Sequence, residues 1–128
     1  MTKRKQKAIV VTTQARQGDV LVMRPLDGRQ IPPTGAVKLP REDGAVVLAH
    51  GEVTGHKHQM RDRNVCMLRA EGLTYDLLRV NEGTIAKLVH EEHGMIQFAP
   101  GLYERRIQRE ASWSADADEM QQSRAVAD

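Results

Sequence analysis

The feature that most constrains the fold is a series of short apolar segments, each closed by glycine, proline, aspartate or asparagine. The segments are rich in valine, isoleucine and leucine, and they read AIVVTT, DVLVMRP, AVVLAH, VTGHKHQM, VCMLRA, LTYDLLRV, TIAKLVHE, GMIQFAP and LYERRIQRE. Short runs of this kind between turn residues are typical of strands rather than helices. The series therefore predicts an all-β domain, either a small β-barrel or a β-sandwich.

The connections between these segments support the same prediction. Gly18 and Asp19 are expected to turn the chain between the first two strands. Residues 26–44 are rich in proline and glycine and poor in apolar side chains, so we expect a loop there with at most one short strand.

The chain is long enough for a single domain with one modest core, because 128 residues is a typical domain length. We expect a basic N-terminal arm over residues 1–7, a β domain over residues 8–113, and a short C-terminal helix or tail over residues 114–128. Ser114 can cap that helix, and the acidic residues that follow it suit the positive end of a helix.

All five histidines lie in two short windows, HGEVTGHKHQM at residues 50–60 and HEEH at residues 90–93. Side chains alternate between the two faces of a strand, so His56 and His58 point the same way, with Cα atoms about 6.5 to 7 Å apart. Their imidazoles can converge on one ion, because metal–nitrogen bonds are about 2.0 to 2.1 Å long. The pair therefore predicts half of a metal site.

The HEEH window supplies the other half of the predicted site. We expect one of His90 and His93 to be a third ligand and favour His90, because it continues the predicted strand. Glu91 or Glu92 is then a carboxylate ligand or a group that orients a histidine. Three protein ligands and an open position suit zinc, iron(II), manganese or nickel, and the sequence does not choose among these metals.

Two further residues are second-rank candidates for the metal site. His50 and Glu52 would share the face of His56 in an unbroken strand. Gly51 and Gly55 favour a bend or a bulge in this stretch, and a bulge changes which side chains share a face.

The histidine cluster has two explanations without a metal. Several imidazoles that gain charge between about pH 5 and pH 8 repel one another, which would make the cluster a pH-sensitive latch. Histidines on a β domain are also often inert surface residues.

The His-x-His pair also carries a resemblance to a known family. Residues 51–62, a glycine-bounded His-x-His on a strand, resemble the first motif of the cupin superfamily, in which the pair binds a metal inside a double-stranded β-barrel. Asp62 stands near the place of the cupin glutamate, and no histidine follows Gly101, where the second cupin motif would have one. The resemblance implies a cupin-like fold.

A longer set of motifs resembles an uncharacterised family of small bacterial and phage-associated proteins. The shared patterns are G-E-V-T-G-H-x-H, H-E-E-H, P-G-x-Y and Q-R-E. The matching residues are Gly51 to His58, His90 to His93, Pro100, Gly101, Tyr103 and Gln108 to Glu110. This resemblance implies a shared site, without a reaction.

The segment PGLYERRIQRE predicts a second functional surface. With strand alternation, Tyr103, Arg105, Ile107 and Arg109 share one face. We expect Arg105, Arg106 and Arg109 to contribute to an interface, because arginine is favoured at protein interfaces and at anion sites. The alternative is an edge strand that charge protects from pairing with other chains.

Composition argues against several other classes of protein. The net charge of +2 is too balanced for binding that depends on neutralising phosphates, and aromatic side chains for base stacking are scarce, so we expect no nucleic-acid partner. The apolar run at residues 8–11 is too short for a signal-peptide core or a membrane span. The lone Cys66 excludes an internal disulfide and favours a reducing compartment. We therefore expect a cytoplasmic or virion-associated protein without membrane contact.

Three hypotheses of function follow. The favoured one is a small β-barrel protein that binds a divalent metal through its histidine cluster, in a structural or ligand-binding role. A cupin-like metal-dependent enzyme is the second, although no nucleophile, P-loop or H-E-x-x-H motif is present. The third is an accessory or assembly protein, for example a phage particle component, that docks through its termini as a homo-oligomer or in a larger assembly.

Overall fold

A computed structural model describes residues 9–51 and 53–108. These residues form eleven strands and no helix. The strands are β1 Val10–Val11, β2 Gln14–Gln17, β3 Val20–Met23, β4 Val37–Lys38, β5 Val46–His50, β6 Lys57–Met60, β7 Val65–Arg69, β8 Asp76–Val80, β9 Ala86–Leu88, β10 Ile96–Phe98 and β11 Gly101–Ile107. The all-β prediction is confirmed, while the predicted basic arm and C-terminal helix lie outside the described residues.

The strands form two facing layers. One is a six-stranded antiparallel sheet in the order β2-β3-β11-β8-β7-β4. The other combines a β5-β6 hairpin with a three-stranded β9-β10-β1 sheet, in which β1 and β10 are parallel. An isolated bridge between Gln59 and Val89 joins these two parts, with reciprocal N–H to O distances of 3.0 and 2.9 Å.

The layers are sandwich-like, and no sheet in the described residues closes into a barrel. The six-stranded ladder ends at β2 and β4, and neither strand pairs with the other layer. The barrel alternative is therefore wrong, because closure requires a backbone ladder between the first and last strands. Apolar spacing alone does not show whether such a ladder forms. No helix of the described residues is long and apolar enough to cross a membrane.

The core lies between the layers. Buried side chains from β3, β7, β8 and β11 pack against those from β5, β6, β9 and β10. Phe98 and Tyr103 meet edge to face with ring centroids 5.5 Å apart, a favourable geometry for aromatic pairs. A smaller apolar cluster of Leu68, Leu77 and Leu102 covers the outer face of the six-stranded sheet.

The first strands differ from the prediction. The sequence predicts one strand over residues 8–13, whereas β1 holds only two residues and a further strand, β2, follows it. The sequence of β2 is QARQ, and Gln17 is its one buried residue. An edge strand with so little apolar surface carries no hydrophobic signal. The turn at Gly18 and Asp19 and the single short strand within residues 26–44, β4, are confirmed.

Strand β11 lies in the middle of its sheet, paired with β3 on one side and β8 on the other. The alternative of a charged edge strand is therefore wrong. The predicted alternation is confirmed, since Tyr103 belongs to the core and Ile107 packs against it. Arg105 lies on the same face. A terminal nitrogen of Arg105 donates to Oδ2 of the buried Asp76 at 2.6 Å.

Candidate functional site

Four of the five histidines meet in one pocket. His56 precedes β6, His58 lies within it, and His90 and His93 follow β9. The ring centroid of His90 is 4.2 Å from that of His58, 4.7 Å from that of His93 and 5.7 Å from that of His56. The bridge between Gln59 and Val89 explains this convergence, because it sets the two histidine-bearing segments side by side.

The loop between β5 and β6 turns His56 toward the pocket. The backbone N–H of His56 donates to Val53 O at 3.0 Å, and that of Gly51 donates to His56 O at 2.8 Å. Gly55 takes a φ of 88°, which glycine adopts without steric cost.

Two glycines allow the rings to approach the backbone closely. A Cβ on Gly18 would lie 2.9 Å from His93 Nε2 and 3.1 Å from His58 Cε1. A Cβ on Gly51 would lie 3.2 Å from His90 Nε2. Any larger residue at position 18 would displace the histidine rings, and at position 51 it would crowd His90.

His58 forms the buried floor of the pocket, with a relative exposure of 2%. The side-chain amide of Gln17 donates to Leu88 O at 3.1 Å and to Gly94 O at 2.8 Å, so its oxygen is the atom that faces His58 Nδ1 at 2.8 Å. Nδ1 must then carry a proton and donate it. In neutral His58 the lone pair is therefore on Nε2, the arrangement of a metal-binding histidine with an orienting partner.

Burial, reinforced by the nearby His90, lowers the pKa of His58 from 6.5 to about 4. His58 is therefore neutral near pH 7 and offers a lone pair without first losing a proton. Its Nε2 lies 3.7 Å from Oδ1 of Asp19. Two ligands of a tetrahedral ion are about 3.4 Å apart, so one cation could contact both atoms.

His56 presents a second nitrogen to the pocket. Its Nδ1 is buried, forms no hydrogen bond within the described residues, and lies 3.4 Å from Oε2 of Glu92. The neighbouring Glu91 accepts the backbone N–H of Lys57 at 3.0 Å, and this bond holds the pKa of Glu91 below its ordinary value. Both glutamates of HEEH thus border the histidine cluster.

His56, His90 and Glu91 each offer one donor atom, and these atoms lie within 4.8 Å of one another. Metal binding would require them to move inward by about an ångström, given the spacing of tetrahedral ligands. His90 would also have to change partners. Its Nδ1 accepts the backbone N–H of Glu92 at 2.9 Å, which leaves the proton of the neutral ring on Nε2. Nε2 of His90 could bind a metal only after the hydrogen bond from Glu92 to Nδ1 breaks and the ring proton moves to Nδ1.

Of the two second-rank candidates, the structure describes His50, which does not join this group. His50 is exposed at the end of β5, where its Nε2 lies 3.2 Å from Oε1 of Glu42. Glu52 lies outside the described residues. The bend predicted at the two glycines of this stretch is the turn at residues 53–55, while the irregularity in the β5–β6 pairing lies earlier, between Val47 and Ala49.

Sequence reasoning missed two polar residues of the site, Gln17 and Asp19. Gln17 comes directly before Gly18, at the end of β2, and Asp19 comes directly after it, in the turn to β3. Both are far in sequence from every histidine. The only signal was the turn itself, which indicates a reversal of the chain but no direction for its side chains.

The arginine-rich segment lies elsewhere. Arg105 and Arg106 border a cleft that shares no residue with the histidine pocket. Arg109 lies outside the described residues. The interface prediction for these three residues stays a prediction.

The fold and the site define a small all-β domain with a histidine-lined pocket of about 390 Å³. The chain belongs to the DUF8820 family, a domain of unknown function, whose family model matches residues 16–108. No curated protein and no solved structure matches the chain. The predicted membership of an uncharacterised family is consistent with this match, while the phage association and the cupin resemblance stay predictions.

Proposed function

We propose that this protein binds one divalent metal ion in the histidine pocket, with His56, His58 and His90 as nitrogen donors and Glu91 as a carboxylate donor. The observation that carries the proposal is the pair of His58 and Gln17. A buried imidazole whose Nδ1 proton is tied to an oriented amide has its lone pair directed away from that amide, as metal ligands require.

Three further observations support the donor set. His90 lies against both His56 and His58. Nδ1 of His56 is buried without a hydrogen bond, and a metal could satisfy it. Glu91 and Asp19 add oxygen donors at the rim, and carboxylates lower the cost of bringing a cation to a partly buried site.

The shape of the pocket favours a ligand-binding role over a purely structural one. Three histidine donors leave one position of a tetrahedral ion, and the exposed Glu91 can hold that position or give it up to an external ligand. Here Glu91, Glu92 and His93 are exposed, and the pocket opens to solvent beside them. An external molecule could therefore reach the ion.

The test is elemental analysis of the full chain, purified without tag or chelator, followed by zinc titration calorimetry on the wild type and three variants. His58→Ala and His90→Ala remove proposed donors. His50→Ala is the matched control, because it removes an imidazole outside the group. Circular dichroism establishes that each variant is folded.

We expect about one equivalent of zinc, iron, manganese or nickel per chain. The losses of affinity for His58→Ala and His90→Ala should exceed the about 10- to 100-fold typical of losing a residue that only orients a ligand. His50→Ala should bind as the wild type does. Folded protein that takes up none of the four metals, or equal losses in all three variants, would refute the proposal.

The two other hypotheses stay predictions with separate tests. A cupin-like enzyme would turn over a substrate only when loaded with metal, and His90→Ala would abolish turnover while the fold persists. An assembly protein would form oligomers or bind a larger particle with its histidines replaced.

A further inference from the structure

A second polar cluster lies at the end of the six-stranded sheet where β7 and β11 finish and β8 begins. It combines three arginines, Arg69, Arg105 and Arg106, with two buried carboxylates, Asp76 and Glu104. Its formal net charge is +1, from three positive and two negative groups.

Asp76 is shared between two guanidinium groups. Arg69 donates to it twice, from Nε to Oδ1 at 2.9 Å and from a terminal nitrogen to Oδ2 at 2.8 Å. Arg105 donates to the same Oδ2 at 2.6 Å. Burial raises the pKa of Asp76. The hydrogen bonds from Arg69 and Arg105 and the charges of both arginines lower it by a larger amount, so the pKa lies below its ordinary value. The carboxylate is thus charged near pH 7 and holds both arginines in place.

Arg106 is held in a similar way. Its Nε donates to Oε1 of Glu104 at 2.7 Å, and its guanidinium carbon lies 4.5 Å from the centre of the Tyr75 ring. Glu104 is 1% exposed, so the anchor is a buried one. Three guanidinium groups are therefore positioned before any ligand arrives, which reduces the entropy that binding would cost.

These arginines border a cleft of about 470 Å³, which Leu73, Thr74, Tyr75 and Ile107 also line. That volume is typical of pockets for small molecules, about 300 to 1,000 Å³. Arg69 uses Nε and one terminal nitrogen on Asp76, and its side chain is 65% exposed. A guanidinium has five N–H donors, so Arg69 retains donors beyond its pair with Asp76.

We propose that this cleft binds the oxyanion of a small organic acid or phosphate ester, with Arg69 as the principal contact and Arg105 and Arg106 as supporting charges. Planar arginine donors match carboxylate and phosphate oxygens, and the surplus charge favours an anion over a cation. The threonine hydroxyl and the apolar wall of Leu73 and Ile107 suit the rest of a small ligand. The inference does not depend on the metal site, because the two pockets share no residue.

The test is a titration of the full chain with inorganic phosphate and, separately, with acetate, at constant ionic strength and with chelator present. The readout is the two-dimensional NMR spectrum of the arginine Nε–Hε groups. Arg69→Gln removes the principal contact, while the hydrogen bond from Arg105 to Asp76 remains. The control is Arg63→Gln, which makes the same charge change at an exposed position in the turn before β7.

We expect saturable shifts of the Arg69 and Arg105 signals, an apparent affinity about tenfold weaker in Arg69→Gln, and less than a twofold change in Arg63→Gln. Tighter binding of phosphate would indicate a phosphate ester, and acetate binding as tightly or more tightly would indicate a carboxylic acid. Shifts that never saturate with either ion, or equal losses in the two variants, would overturn the proposal.

Discussion

At the scale of single residues, the side chain of Gln17 decides what His58 can do. A glutamine amide can present either its oxygen or its nitrogen to an imidazole. Here two backbone carbonyls accept from the nitrogen, so only the oxygen is left for His58. The same residue that closes the end of β2 thus selects the tautomer of a histidine 41 positions away.

The close approach at Gly18 gives a prediction with an internal control. Gly18→Ala and Gly28→Ala both place a side chain at a positive φ, 61° and 78° respectively, and so carry a similar backbone penalty of about 1 kcal/mol. Only the Cβ at position 18 meets histidine rings, whereas nothing lies within 4 Å of the one at position 28. Zinc affinity, measured by calorimetry, should fall in Gly18→Ala and stay unchanged in Gly28→Ala. Equal affinities would contradict the described packing.

The low pKa of His58 predicts how the stability of metal-free protein depends on pH. In the unfolded chain His58 titrates near 6.5, but in the folded chain it titrates near 4, where His90 and His93 oppose its charge and Asp19 and Glu91 favour it. Between these values the unfolded chain binds a proton that the folded chain does not. Stability should therefore fall as the pH is lowered from 6.5 to 4, by at most about 3 kcal/mol from this group.

Urea unfolding at several pH values in the presence of chelator measures this slope. His58→Gln should flatten it, because glutamine does not titrate. His50→Gln should leave it unchanged, because His50 is exposed. An identical slope in His58→Gln would mean that other groups cause the acid sensitivity.

At the scale of elements, β11 connects the two sides of the six-stranded sheet. Its inward residues, Tyr103 and Ile107, meet the main core. Its outward Glu104 accepts the backbone N–H of Leu26 at 2.8 Å and the Nε of Arg106 at 2.7 Å. The long connection after β3 is thus attached to the central strand by one buried carboxylate.

Glu104→Ala tests this attachment. The substitution leaves the partly buried backbone N–H of Leu26 and the guanidinium of Arg106 without their acceptor, so we expect a loss of about 1 to 3 kcal/mol in the free energy of unfolding, measured with urea. Glu82→Ala, at an exposed turn position, should change it by less than about 0.5 kcal/mol. Hydrogen exchange should also accelerate at Leu26. Equal stability of the two variants would show that Glu104 is not an anchor.

At the scale of the whole molecule, the histidine pocket lies at the border of the fold. The buried apolar cluster extends across both layers, and its members come from eight strands. The buried His58 reaches from the pocket toward this core, since it lies on the same face of β6 as Met60. We therefore expect the core to hold its strands together without a metal in the pocket.

Removal of the proposed metal should lower stability without unfolding the chain. A metal present at 100 times its dissociation constant adds about 2.7 kcal/mol to the free energy of unfolding. We expect chelator to lower the melting temperature while the far-ultraviolet circular dichroism spectrum at 25 °C stays that of a β protein. Unfolding on chelation would instead make the metal a structural element of the fold.

Much of the fold was predictable from local pattern. Strands such as β5, β7 and β8 bury most of their side chains, and a run of buried β-branched and aliphatic residues is visible without any partner. β2 was not predictable, because three of its four residues are polar and it forms a strand by pairing with β3. The His-x-His spacing likewise identified His56 and His58, although His56 lies just before β6 and the loop, not strand alternation, directs its ring.

The sequence by itself determined that the chain is all-β and that its histidines fall in two windows, because both follow from residue order and short-range geometry. Only the tertiary structure decided that HEEH meets the His-x-His pair while His50 turns away to Glu42. It alone brought Gln17 and Asp19 to His58, and Arg69 to Asp76 and Arg105. These contacts join residues distant along the chain, and strand pairing and packing, which local pattern does not encode, set their distances.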